Sequence, residues 1–215
     1  MNDMPIYKWV WNGLHLQEPS IFITDLILGS LCFYIFTKIS RNTKFEKKWK
    51  MFYLMLGICT ILGGIGHLFF YYTGVAGKSI SWVFSLTSNL YASLAIINEV
   101  KSERNRKQIR VVCFSKSIIL IILAIVTQKF LFIAIDAGIS FIYFAAYLSY
   151  RIAKPWNFWM ITGVGCMLPS LVFVIGKIDP HPHFNRIDMG HLFMILAILS
   201  FWKGIRDYSK YYTMQ

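Results

Sequence analysis

Seven apolar segments of about 20 residues each, separated by short polar connections, dominate this chain. Each is long enough to cross ~30 Å of hydrocarbon at ~1.5 Å per residue. Inside a bilayer every backbone N–H and C=O must find a partner within the protein, and an α-helix does this locally. The segments run approximately 21–39, 49–72, 80–97, 111–126, 130–150, 156–176 and 187–205. A chain that is 56% hydrophobic and 15% charged agrees with that reading and lies outside the usual range of soluble domains. The expected fold is therefore all-α: a single seven-helix transmembrane domain over residues 1–215, with antiparallel neighbours and no soluble domain. Residues 1–17 do not read as a signal peptide, since Asp3, Lys8, Trp9 and Trp11 interrupt them and no apolar core or small-residue cleavage site is present. Cys32, Cys59, Cys113 and Cys166 form no CxxC or Cys/His spacing, so neither a disulfide framework nor a cysteine metal site is expected.

The formal charge of +12 is a topology signal rather than a nucleic-acid footprint. Lys38, Arg41, Lys44, Lys47, Lys48 and Lys50 flank the first connection, and Lys101, Arg104, Arg106, Lys107, Arg110 and Lys116 the third. Arg151 and Lys154 lie in the fifth, and Lys203, Arg206 and Lys210 at the C-terminal end. In total, 17 of the 22 Lys and Arg residues fall on one side. The positive-inside rule makes that side cytoplasmic, which puts the N-terminus outside and the C-terminus inside. A bacterial inner membrane is the expected location. The basic loops also suit anionic lipid head groups. Trp9, Trp11, Tyr71, Tyr72 and Trp82 at one level, and Trp49, Tyr150, Trp156 and Trp202 at the other, are expected as interfacial belts.

Against this apolar background five ionisable residues stand out: Asp25, His67, Asp136, Asp188 and His191. Such residues are costly inside a membrane and mark functional sites by default. With the orientation above, each falls within ~10 Å of the outer end of its helix, counted at 1.5 Å per residue. Asp188 and His191 are spaced i, i+3, which puts a carboxylate and an imidazole on one helix face. Helical bundles build metal sites from such pairs, completed by a residue on a facing helix. His67 is the natural completion, and His67, Asp188 and His191 with an open position would suit Zn²⁺ and an activated water. Asp25 and Asp136 are then the candidate catalytic carboxylates, as a further ligand, an orienting group or a proton shuttle. His183 in the last loop and Asn89 in the third segment are further candidates. Asp188 also reads as the return half of a capping box with Asn185, and each of the others has an ordinary structural role open to it.

The small-xxx-His element of the second segment (Gly63, Ile65, Gly66, His67) and the carboxylate/His element of the seventh (Asp188 to His191) resemble the CREST superfamily. That superfamily includes alkaline ceramidases and adiponectin-receptor-type proteins. Gly63 stands where its pattern has Ser, Asn89 stands in for its Asp, and Ile187 stands where a second His precedes His191. The resemblance implies an intramembrane zinc-dependent hydrolase of a lipid amide or ester. The first expectation is thus metal-assisted lipid hydrolysis at the outer third of the bundle, with membrane lipid as partner. The alternatives are a transporter or small-molecule or ion-binding protein using the same polar cluster, and a non-catalytic scaffold. No Walker loop, GxSxG elbow or HExxH motif is present.

Overall fold

The computed structural model describes residues 8–181 and 183–213. Asp3, on which part of the signal-peptide reading rests, lies outside that range. Seven helices are long and apolar enough to cross a membrane: α1 Pro19–Lys38, α2 Lys44–Leu68, α3 Phe70–Ile97, α4 Glu103–Thr127, α5 Leu131–Ile152, α6 Asn157–Gly176 and α7 Arg186–Thr213. The all-α architecture follows the apolar segments, as expected. The helices overrun those segments mainly at the charged ends, where hydropathy is silent and capping decides. Thr43 and Glu46 form a reciprocal capping box that starts α2 inside a lysine-rich stretch. Similarly, the Ser102 side chain accepts the Asn105 N–H and starts α4.

Between α2 and α3 the break falls earlier than expected. Phe69 leaves the helical path, and Gly74 then takes φ 56°, ψ −147° inside α3, a conformation that favours glycine. The two helices can run this close because a Cβ on Gly66 would sit 2.9 Å from the carbonyl oxygen of Gly77. A ten-residue π-helical stretch, Ile139–Leu148, forms the middle of α5. Such stretches are rare, and short ones recur at functional sites.

One feature is not helical. Lys8–Trp11 (β1) and Leu14–Gln17 (β2) pair antiparallel. Asn12 and Gly13 join them with φ 48° and 80°, as a two-residue hairpin turn requires. Asn-Gly between apolar residues is the signal that could have found it. The hairpin lies on the α2–α3 junction, where the His15 N–H donates to the Tyr72 hydroxyl at 2.9 Å and the His15 ring stacks on Tyr71 at 4.6 Å.

At the opposite end, the main core is aromatic. Phe45 stacks on Tyr208 at 4.0 Å between ring centroids and Phe141 on Phe201 at 5.7 Å. Trp49 and Trp156 belong to this core and are fully buried, which corrects their expected place in an interfacial belt. Their neighbours on α2 and α7 offer an aromatic packing surface that a hydropathy reading does not see.

Candidate functional site

The hairpin end of the bundle holds a polar cluster contributed by α1, α2, α3 and α7. It starts from helix termini. Asn185 caps α7 by accepting the N–H groups of Ile187 and Asp188, and Asp188 accepts the Asn185 N–H in return, the reciprocal arrangement of a capping box. Asp188 does more than cap. Its carboxylate also accepts the Ser20 and Thr24 hydroxyls of α1, both at 3.0 Å, and is fully buried. Every oxygen of this acid is therefore engaged, as a buried charge requires.

One turn further along α7, His191 meets α1 on both edges of its ring. Its Nδ1 lies 2.8 Å from Thr24 Oγ1 and its Nε2 lies 3.4 Å from Asp25 Oδ1. Asp25 is buried against Gly64, where a Cβ would come within 3.0 Å of the Asp25 Cβ; at Gly63 a Cβ would have ordinary room, 3.7 Å from Ser81 Oγ and 3.8 Å from Asp25 Oδ2. Beside this pair, His67 Nδ1 faces Glu18 Oε2 at 2.7 Å and Lys78 Nζ at 3.0 Å. Glu18 follows β2 directly and precedes α1 in a left-handed conformation, so the hairpin sets its position. Burial opposes its charge, but the His67 hydrogen bond and the electrostatic attraction of the nearby His67, Lys78 and Arg186 side chains outweigh burial and hold its pKa below the ordinary 4.5.

The structure thus brings Asp25, His67, Asp188 and His191 into one region and adds Glu18, Ser20, Thr24 and Lys78, which the sequence reading did not single out. Glu18 lies outside the apolar segments, and Lys78 falls in the connection between the second and third of them. Asp136 is elsewhere. Its carboxylate lies 2.6 Å from Lys116 Nζ and accepts from Asn89 Nδ2 at 2.9 Å, and Lys116 also reaches Ser140 Oγ at 2.7 Å. This second buried cluster ties α3, α4 and α5 together. Lys116, expected to flank the third connection, lies well inside α4, and Asn89 has a definite role as a donor to Asp136. His183 stays in the α6–α7 loop beside His181, to whose Nδ1 its backbone N–H donates.

A zinc ion on His67, Asp188 and His191 would need free donor atoms converging on one point. Instead, Asp188 is saturated by three donors, His67 Nδ1 is held by Glu18 and Lys78, and both nitrogens of His191 face partners on α1. Among the described residues no group of three or more His, Cys, Asp or Glu is placed to hold a metal ion. In this arrangement the side chains do not present the set a zinc site requires.

The model of the family of unknown function DUF6962 matches residues 20–210. The chain belongs to that family. The matched region covers every member of both polar clusters except Glu18, and it leaves the hairpin outside. No curated protein and no solved structure matches the chain.

Proposed function

We propose that this is a multi-pass protein of a bacterial inner membrane whose polar cluster faces outward and binds a proton, coupling that event to transport or to capture of a small ligand. The orientation rests on the charge asymmetry of the connections. One observation carries the proton site: the hydrogen-bond accounting at His191. The single Thr24 hydroxyl hydrogen has the Asp188 carboxylate, the Ile21 carbonyl and His191 Nδ1 within reach; when it serves Asp188 or Ile21, Thr24 Oγ1 accepts from His191 Nδ1. The remaining nitrogen, Nε2, then faces Asp25 Oδ1 at 3.4 Å. Without a proton between them two lone pairs would oppose each other in a buried setting. With one proton the pair is satisfied, as an acid donating to an imidazole or as an ion pair. Glu18, His67 and Lys78 in the same cluster keep 17%, 17% and 20% of their side-chain surfaces exposed, so water reaches this end of the cluster.

Infrared difference spectra of the purified protein, taken on stepping the pH across the range where histidine titrates, test this reading. The wild type is expected to show a carboxyl or imidazole band that disappears in both Asp25→Asn and His191→Gln. Identical spectra from wild type and both variants would remove the proton site.

Metal-assisted hydrolysis of a lipid amide or ester is the second reading. What favours it is the collection of two imidazoles and three carboxylates, Glu18, Asp25 and Asp188, in one region. Near-stoichiometric zinc in protein purified without chelators, lost in His67→Ala and His191→Ala, would establish it over the first reading; metal-free protein under those conditions would end it.

A further inference from the structure

At the end remote from the hairpin, α1 and the last turns of α7 enclose a cavity of about 250 Å³ whose lining includes Lys38, Ile39, Trp202, Arg206 and Lys210. The 28 residues of α7 extend ~42 Å at 1.5 Å per residue, well beyond ~30 Å of hydrocarbon, so its final turns stand at head-group level. Trp202, Arg206 and Lys210 recur at i, i+4 and i+8, on one face of the helix. Arg206 lies over the Trp202 ring at 5.5 Å and Lys38 over the Tyr34 ring at 5.3 Å. Among the described residues no carboxylate pairs with Lys38, Arg206 or Lys210. The acids closest in sequence are otherwise engaged, Glu46 by Ser40, Thr43 and Ser209, and Asp207 by Lys203. The lining thus carries three cations, with the Glu46 carboxylate behind it on the hydroxyls of the lining residues Ser40 and Ser209. On its membrane side Tyr34 meets Trp202 edge-on at 6.2 Å. Exposed apolar stripes lead toward it, Ile23, Ile27 and Tyr34 on α1 and Leu192, Leu196 and Leu199 on α7.

We propose that this cavity is a binding site for an anionic phospholipid, with Lys38, Arg206 and Lys210 on the phosphate and an acyl chain along the two stripes. Free phosphate shares the head-group chemistry but has nothing to lay on the stripes. Three cations lining one cavity, two of them over aromatic rings, also distinguish the site from single basic side chains at the other connections.

Delipidated full-length protein in neutral detergent provides the test, with thermal stability and native mass spectrometry as readouts. Phosphatidylglycerol is expected to raise Tm and remain bound as a discrete adduct, whereas phosphatidylcholine and inorganic phosphate do neither. The combined Lys38→Gln, Arg206→Gln and Lys210→Gln protein should bind phosphatidylglycerol at least ~10-fold more weakly. A control combining Lys101→Gln, Arg104→Gln and Lys107→Gln should bind as wild type. Arg206→Gln alone, expected to weaken binding by about fivefold, serves if the triple variant does not fold. Equal stabilisation by inorganic phosphate would overturn the lipid assignment. Equal loss in the two triple variants, or unaltered binding by the cavity variants, would overturn the site.

Discussion

Asp136 and Lys116 show what a buried charge demands of its neighbours. The carboxylate is fully buried and its charge is met by one ammonium and one amide. Removing only the acid leaves an unpaired cation in a low-dielectric interior, whereas removing both charges leaves only the neutral Asn89 and Ser140 groups to find new partners. Asp136→Ala should therefore cost roughly 3–5 kcal/mol, and combining Asp136→Leu with Lys116→Met should recover most of it, as read by thermal unfolding in detergent. Glu18 makes the complementary case for pH. Its folded-state pKa lies below its ordinary value, so its ionised form contributes stability above the unfolded pKa, and that contribution is lost as pH falls through the folded pKa. Glu18→Gln should lower Tm at neutral pH and flatten the acid limb of a Tm-against-pH curve, while Glu99 runs the other way. Burial raises the Glu99 pKa despite the Tyr212 and Tyr208 hydroxyls and Lys154, so Glu99→Gln should raise Tm at neutral pH and lose that advantage as the pH falls and the native acid protonates.

The approach of one helix to another is decided by a few glycines with unequal demands. A Cβ at Gly29 of α1 would come 2.7 Å from Thr60 Oγ1 and 2.9 Å from Ile61 Cδ1 of α2, whereas one at Gly63 would meet nothing closer than 3.7 Å. Gly29→Ala should cost ~1–3 kcal/mol by forcing α1 and α2 apart, and Gly63→Ala should fall within about 0.5 kcal/mol of wild type. Comparing the Tm values of the two variants checks the contrast. The helices themselves were legible in the sequence because burying or lipid-exposing about 20 residues leaves a pattern no other element produces. Their ends were not, because Thr43, Glu46 and Ser102 sit in polar stretches where hydrogen bonding, not hydropathy, sets the boundary. The cluster was legible in part. Asp25, His67, Asp188 and His191 stood out as ionisable residues in apolar runs, while Glu18 and Lys78 acquire meaning only through pairing with His67 across three helices. Asp136 showed the same limit. Its depth was readable, but its partner on α4 depends on which helices adjoin.

At the scale of the whole molecule, the seven helices carry two buried polar clusters near the hairpin end and inside α3–α5, and a cationic rim at the other end. The charge asymmetry predicts how this polarity lies in a membrane. Trp11→Cys in the hairpin should react with a membrane-impermeant thiol reagent on intact spheroplasts, and Lys210→Cys should react only after lysis; Cys32, Cys59, Cys113 and Cys166, buried or half-buried, contribute a background measured on the parent. The reverse labelling pattern would invert the orientation. The hairpin also has a mechanical aspect. β2 ends at Gln17 and α1 begins at Pro19, so Glu18 alone joins a surface flap held by Tyr71 and Tyr72 to the half-buried His67 imidazole. With no slack in that joint, the flap and the His67 contact are in series, and anything that peels the flap from its tyrosines pulls Glu18 from the ring. A bulky molecule too large to enter the bundle could thus reset the charge beside His67 by gripping the hairpin alone.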